Sequence, residues 1–171
     1  MIENNRPFVA VLVGSDSDLP IMQVALDVLR QLDVPYEVRI RSAHRSPEAT
    51  HAYVRDADSR GCAVFIAAAG LAAHLAGTVA GLTVKPVIGV PIAEGPLRGF
   101  DALLSTAQMP GGVPVATVAI GKAGAKNAAY LAAQILALFD ELLALRLAEE
   151  RRSAAEAILA KDEALRHAAQ M

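Results

Sequence analysis

Short aliphatic runs alternate along the chain with segments whose apolar positions recur every three or four residues. Phe8–Val13 (FVAVLV) is continuously apolar, rich in β-branched residues and closed by Gly14. That is the pattern of a strand buried on both faces. From Pro20 to Leu32 the apolar residues Ile21, Met22, Ala25, Leu26, Val28, Leu29 and Leu32 fall at helical spacing. Pro35–Ile40 alternates, which predicts a second strand nearer an edge. Pro47–Arg60 reads as a helix stopped by Gly61. Ala63–Ala68 is a third strand and Ala72–Leu82 a short helix. Pro86–Val90 is a fourth strand, closed by Pro91. Phe100–Ala107 is helical, and Val113–Ala119 is a fifth strand followed by Gly121 and Gly124. From Lys126 the pattern predicts helix to near the end of the chain.

Strand and helix thus alternate five times, which calls for a parallel sheet with helices on both faces. Right-handed crossovers favour a doubly wound order such as 2-1-3-4-5. The composition shifts near Leu145, where the chain turns rich in Ala, Glu, Arg and Lys. This divides it into an α/β domain, 1–145, and a C-terminal helical extension, 146–171. Ala128 to Leu147 is apolar around more of its circumference than one sheet can bury, so a neighbouring subunit is expected to cover it. The extension carries Ala155, Ile158, Leu159 and Leu165, which fit another protomer's surface. A tail folded back on its own chain, or a solvated helix, are the alternatives.

Composition narrows the class. The chain has 171 residues, 54% hydrophobic and 4% aromatic, with 35 alanines. A packed core is well supplied, and wholesale disorder is excluded. A formal charge of −2 gives no electrostatic reason for nucleic acid or an anionic membrane as partner. Cys62 alone excludes an internal disulfide framework. MIENNRPF has no apolar stretch of signal-peptide length, and no run is long enough to span a bilayer. A cytoplasmic protein is the expectation. Four scattered histidines show no metal-ligand spacing, so no metal is expected.

Ligands of open parallel sheets bind at the carboxyl ends of the strands, near the reversal of strand order. There the first strand ends in Gly14-Ser15-Asp16-Ser17-Asp18, the second in Ser42-Ala43-His44-Arg45-Ser46-Pro47 and the third in Ala69-Gly70-Leu71-Ala72-Ala73-His74. Gly14, the Ser15 and Ser17 hydroxyls and the following helix N-terminus suit a phosphate. Asp18 suits a ribose diol, or serves only as a helix cap. Ser46 is assigned to capping. Arg45 is able to grip phosphate oxygens, and His44 is the best candidate for proton transfer. His74 either meets a ligand from a glycine-marked turn or is satisfied by backbone. Ser105, Gln108 and Met109 line a pocket or cap one.

At these residues the chain resembles a known family. GSDSD, SAHRSP, GLAAHLAG, GVP, DALLSTAQMPGGVPVAT and AIGKAGAKNAAYLAAQIL, in order from about Val11 to Leu138, are similar to the PurE family of purine biosynthesis. The resemblance implies a flavodoxin-like three-layer α/β/α subunit, a homo-octamer and no cofactor. It implies an isomerase acting on an aminoimidazole ribonucleotide, moving a carboxylate from N5 to C4 through CO2. Arg45 after His44, and Ala-Ala-His-Leu at 72–75, resemble the mutase class; the alternative class carboxylates aminoimidazole ribonucleotide directly with CO2. Carried over, Ser15, Asp18 and Arg45 hold the ribose phosphate, and His44 transfers the proton. Gly70, Ala73, His74 and Leu75 surround the base and the migrating CO2. Ser42 and Ala43 join the substrate-binding set. The mutase pattern has Trp where Leu19 stands, Gly where Leu71 stands and Pro where Ala76 stands; Leu71 is thereby expected to remove a left-handed turn option.

Two other classes fit the pattern less well. An FMN protein would stack its flavin on aromatics, which are scarce here. A phospho-acceptor receiver would use Asp16, Asp18 and Lys122, but it needs a carboxylate after the third strand, where the chain reads AAAGL.

Overall fold

The computed structural model describes residues 6–168, so the leaderless reading of the first five residues and the last three residues of the extension lie outside the described chain. The strands are β1 (Phe8–Val13), β2 (Tyr36–Ile40), β3 (Cys62–Gly70), β4 (Val87–Ile92) and β5 (Ala116–Thr117). The helices are α1 (Leu19–Gln31), α2 (Pro47–Ser59), α3 (Leu75–Ala80), α4 (Phe100–Ala107), α5 (Gly121–Ala137) and α6 (Glu141–Ala168). All strand pairs are parallel, in the order β2-β1-β3-β4-β5. This is the doubly wound three-layer sheet expected from the sequence.

Alternation along the central strands splits the core in two. Val9, Val11, Val13, Val64, Ile66 and Ala68 face α1 and α5, against Met22, Ala25, Leu29 and the buried alanines 125, 128, 129, 132 and 133. Ala10, Leu12, Phe65 and Ala67 face α2 and α3, against Tyr53, Val54, Ala57, Leu75 and Val79. The alanine content has its reason in α5: an all-small buried face lets that helix lie close to α1 and the sheet. Gly124 meets the loop that leads into α5, where a β-carbon would run into the Ala119 carbonyl.

Several boundaries differ from the sequence pattern. β4 continues through Pro91 to Ile92. Pro91 pairs with Ala69 on one side, and on the other β5 ends opposite Gly89, so the missing N–H interrupts no ladder there. β5 is only two residues long. α3 starts at Leu75, not Ala72. α5 starts at Gly121, and the helix predicted from Lys126 onward breaks at residues 138–140. The cause is Asp140, whose Oδ1 accepts the Leu143 N–H at 2.9 Å and caps a new helix. Leu143 is buried and Leu147 packs on the core, whereas every residue from Arg151 to Ala168 is exposed.

Candidate active site

Strand order reverses between β1 and β3, and the loops beyond their carboxyl ends meet there. The phosphate-loop candidate follows β1. Ser15 caps a short 3-10 turn, Asp16–Asp18: its N–H donates to Asp18 Oδ2 at 3.0 Å, and its Oγ donates to Asp16 Oδ1 at 2.9 Å. Asp18 is 3% exposed. Burial pushes its carboxyl above the usual carboxylate range; bonds from the Ser15 and Gly14 backbone oppose the rise, and the charge of Glu94 adds to it. Asp18 therefore does cap the loop, from within, and makes no side-chain cap on α1. Gly14 is not in the left-handed region. Its role is its carbonyl, which accepts from Arg45 Nη2 at 3.0 Å.

That contact ties the loop after β2 to the loop after β1. The β2 loop is braced internally: Ser42 Oγ accepts the Arg45 N–H at 3.1 Å, and the buried Thr50 hydroxyl donates to the Ser42 and Ser46 carbonyls. Ser46 is expected from the sequence to cap α2, but its side chain makes no cap hydrogen bond there. Its hydroxyl instead accepts the Ser42 N–H at 3.1 Å, closing the loop on itself. The bracing presents Arg45 and His44 as neighbours on the rim.

The loop after β3 supplies the opposite wall. Leu71 has φ +53°, so the left-handed turn is made despite the side chain, at a cost of about 1–2 kcal/mol. The turn is held by the Ala73 N–H on the Leu71 carbonyl and the His74 N–H on the Ala72 carbonyl, at 2.9 and 2.8 Å. It carries the His74 ring to His44. Nε2 of His44 and Nδ1 of His74 lie 2.8 Å apart, with the rings edge to face at 86°. One of these nitrogens donates and the other accepts, so the tautomers of the two rings are coupled.

All three loops line one cavity of about 440 Å³. Ser15, Asp18, Ser42, Ala43, His44, Arg45, Gly70, His74 and Leu75 are all on its wall. Of the residues expected there, only Ala73 is not; its side chain is buried within the β3 loop. Gly14, Ser17, Ala69, Leu71 and Ala72 complete the same loops, and Glu94 joins from the end of β4. Glu94 was missed because Pro91 reads as a strand end. The signal lies in the register: Gly70 pairs with Ile92, which puts Glu94 beside the β3 loop. Met109 lies elsewhere, against Gly77 of α3. Among the described residues no group of three His, Cys, Asp or Glu side chains is placed to hold a metal ion.

The arrangement combines a serine-bearing loop, a guanidinium fixed beside it and a pair of imidazoles in a cavity with small residues. It is able to hold a phosphorylated ligand by one end and exchange a proton at the other. The chain matches a family model described as AIR carboxylase over residues 8–157. It is 51% identical over 160 residues to the N5-carboxyaminoimidazole ribonucleotide mutase of Bacillus subtilis strain 168, covering 94% of this chain and 99% of the relative. The protein of the same name from Escherichia coli K12 is 47% identical over 156 residues, 91% of this chain and 92% of the relative. The crystal structure of Treponema denticola PurE has a TM-score of 0.84 to this chain at 30% identity, covering 92% of this chain and 98% of that one.

Proposed function

The chain belongs to the AIR carboxylase family, the PurE proteins, and from that premise we propose that it is an N5-carboxyaminoimidazole ribonucleotide mutase of purine biosynthesis. It converts N5-carboxyaminoimidazole ribonucleotide to 4-carboxyaminoimidazole ribonucleotide. The mutase reading is preferred to direct carboxylation because relatives about 50% identical over most of the chain carry the mutase name. The observation that carries the site assignment is the convergence of Ser15, Arg45, His44 and His74 on one cavity.

The chemistry suits those groups. Ser15 and Arg45 hold the phosphate, with Asp18 keeping the Ser15 loop in shape. An N-carboxylate is labile, so the site needs to release CO2, retain it and present C4 of the electron-rich imidazole. C–C bond formation leaves C4 with an extra proton. His44 gives a proton to N5 as the bond to the leaving CO2 breaks, and the resulting neutral imidazole takes the C4 proton back; His74 holds the ring and its tautomer through the 2.8 Å contact. Ala43, Ala69, Gly70 and Ala72 line the cavity with small groups that carry no polar side chain, which suits an uncharged CO2. The test offers two substrates: N5-carboxyaminoimidazole ribonucleotide alone, and aminoimidazole ribonucleotide with bicarbonate. Efficient turnover of the first at low CO2 is expected; turnover of only the second, at modest CO2, overturns the mutase reading.

Replacing Arg45 or Ser15 by Ala is expected to act on affinity. A charge-assisted phosphate contact contributes roughly 1.5–3 kcal/mol, so KM should rise about ten- to a hundredfold. Steady-state kinetics checks this, and an unchanged KM in both variants removes the phosphate from this loop.

Assembly into a homo-octamer and a cytoplasmic location belong to the same reading. Leu104, Phe100, Leu138, Phe139, Leu142 and Leu145 are exposed in the single chain, which supports burial between subunits. Among the described residues no helix is long and apolar enough to cross a membrane, and the one cysteine is free and buried.

A further inference from the structure

One charged side chain of the cavity has no role in the scheme above. Glu94 follows the end of β4 and lines the cavity with Gly14, Asp18 and Gly70. It lies against the β3 terminus: a side chain at Gly70 would begin 3.4 Å from Glu94 Cβ and 3.6 Å from its Oε2. The residue is partly buried. Among the described residues no hydrogen-bond donor or cation holds its carboxylate. Asp18 is in a different position, since its Oδ2 already accepts the Ser15 N–H.

This placement is unfavourable for the empty protein. The Glu94 carboxylate oxygens are open to the cavity, and among the described residues no protein donor or cation neutralises them. Its charge also works against an ionised Asp18 and against any phosphate drawn in by Arg45. The cost is offset if the ligand brings its own donors. A nucleotide of this class has them in two places, the ribose hydroxyls and the exocyclic amine. Ser15 and Arg45 take the phosphate end, and His44 and His74 take the base. Glu94 shares the wall of Asp18 and Gly70, and the ribose that joins those two ends is the donor-bearing part left for it.

We propose that Glu94 is a ribose-recognition residue, its carboxylate accepting hydrogen bonds from the sugar hydroxyls. The inference rests on the reading of this cavity as the nucleotide site. It predicts a sign that simple electrostatics reverses. Removing a negative charge from an anion-binding cavity should tighten binding; removing a ribose acceptor should weaken it.

The experiment titrates wild type and Glu94→Ala with 4-carboxyaminoimidazole ribonucleotide and with its 2′,3′-dideoxy counterpart, by calorimetry, with mutase turnover measured alongside. The variant should bind the ribonucleotide about ten- to a hundredfold more weakly. Its KM should rise in step while kcat stays within a few-fold. Its affinity for the dideoxy compound and its melting temperature should match the wild type. Unchanged or tighter binding of the ribonucleotide overturns the assignment. Equal weakening for both compounds also overturns it, because the partner is then the amine. Wild-type turnover establishes the site separately from these results, and a wild type that binds neither compound overturns both readings.

Discussion

His44→Asn is expected to lower kcat by about 10²–10⁴ while leaving nucleotide binding nearly intact. Asn occupies similar space and still offers an amide to His74, whose Nδ1 stands 2.8 Å from the His44 ring. What it lacks is a basic nitrogen. The loop around it should persist, because Ser42, Ser46 and Thr50 brace that loop without using the His44 side chain. The phosphate contacts of Ser15 and Arg45 should persist too, since Arg45 is anchored on the Gly14 carbonyl. Loss of catalysis should therefore separate from loss of affinity. Single-turnover rates with calorimetric binding of 4-carboxyaminoimidazole ribonucleotide measure the two apart. A variant that keeps the wild-type kcat removes His44 from the mechanism.

The fold was legible because its strands are short apolar runs bounded by glycine or proline, and its main helices have one apolar face. β1 is matched residue for residue, and the order 2-1-3-4-5 follows from alternation and crossover handedness. Boundaries failed where local chemistry has two outcomes. Proline usually ends a strand, but Pro91 sits where β5 no longer runs beside β4. Leucine usually avoids the left-handed region, yet Leu71 adopts it, because Ala73 and His74 must turn back toward His44. An aspartate inside an apolar helical pattern looks like a surface residue, but Asp140 starts a second helix.

The candidate site was legible in the same way, through position. Three loops distant in the chain were placed on one rim by the strand order, and the cavity collects nearly all of their singled-out residues. Contacts between loops were not legible. Nothing in the spacing of His44 and His74 shows that they meet at hydrogen-bond distance, and nothing in SAHRSP shows that Arg45 reaches the Gly14 carbonyl. Those depend on side-chain reach across strands. Glu94 was hidden for a related reason, since a wrongly shortened β4 moves it off the rim.

Truncation after Leu145 should lower the melting temperature and shift the assembly to smaller species. α6 is 28 residues long, and its part beyond Glu150 is exposed in the single chain on every side. Ion pairs of Arg152 with Glu149 and Glu156, and of Arg166 with Asp162, support it locally. Exposed pairs of this kind contribute only a few tenths of a kcal/mol each, and a helix in a protein draws most of its stability from packing an apolar face. Ile158, Leu159 and Leu165 are each more than 60% exposed. Burying one such side chain stabilises by about 1.5–3 kcal/mol, so seating all three on a neighbour outweighs the local pairs severalfold. The sequence pattern predicts one continuous helix, apolar nearly all round from Ala128 to Leu147 and amphipathic beyond. The chain instead breaks at Asp140 and leaves Leu138, Phe139 and Leu142 exposed at the corner. The need for cover thus moves to that corner and to α6. Light scattering should report a particle well above a dimer for the intact chain. A monomer, or a truncated chain of unchanged size and melting temperature, would show that the extension is a solvated helix with no part in assembly.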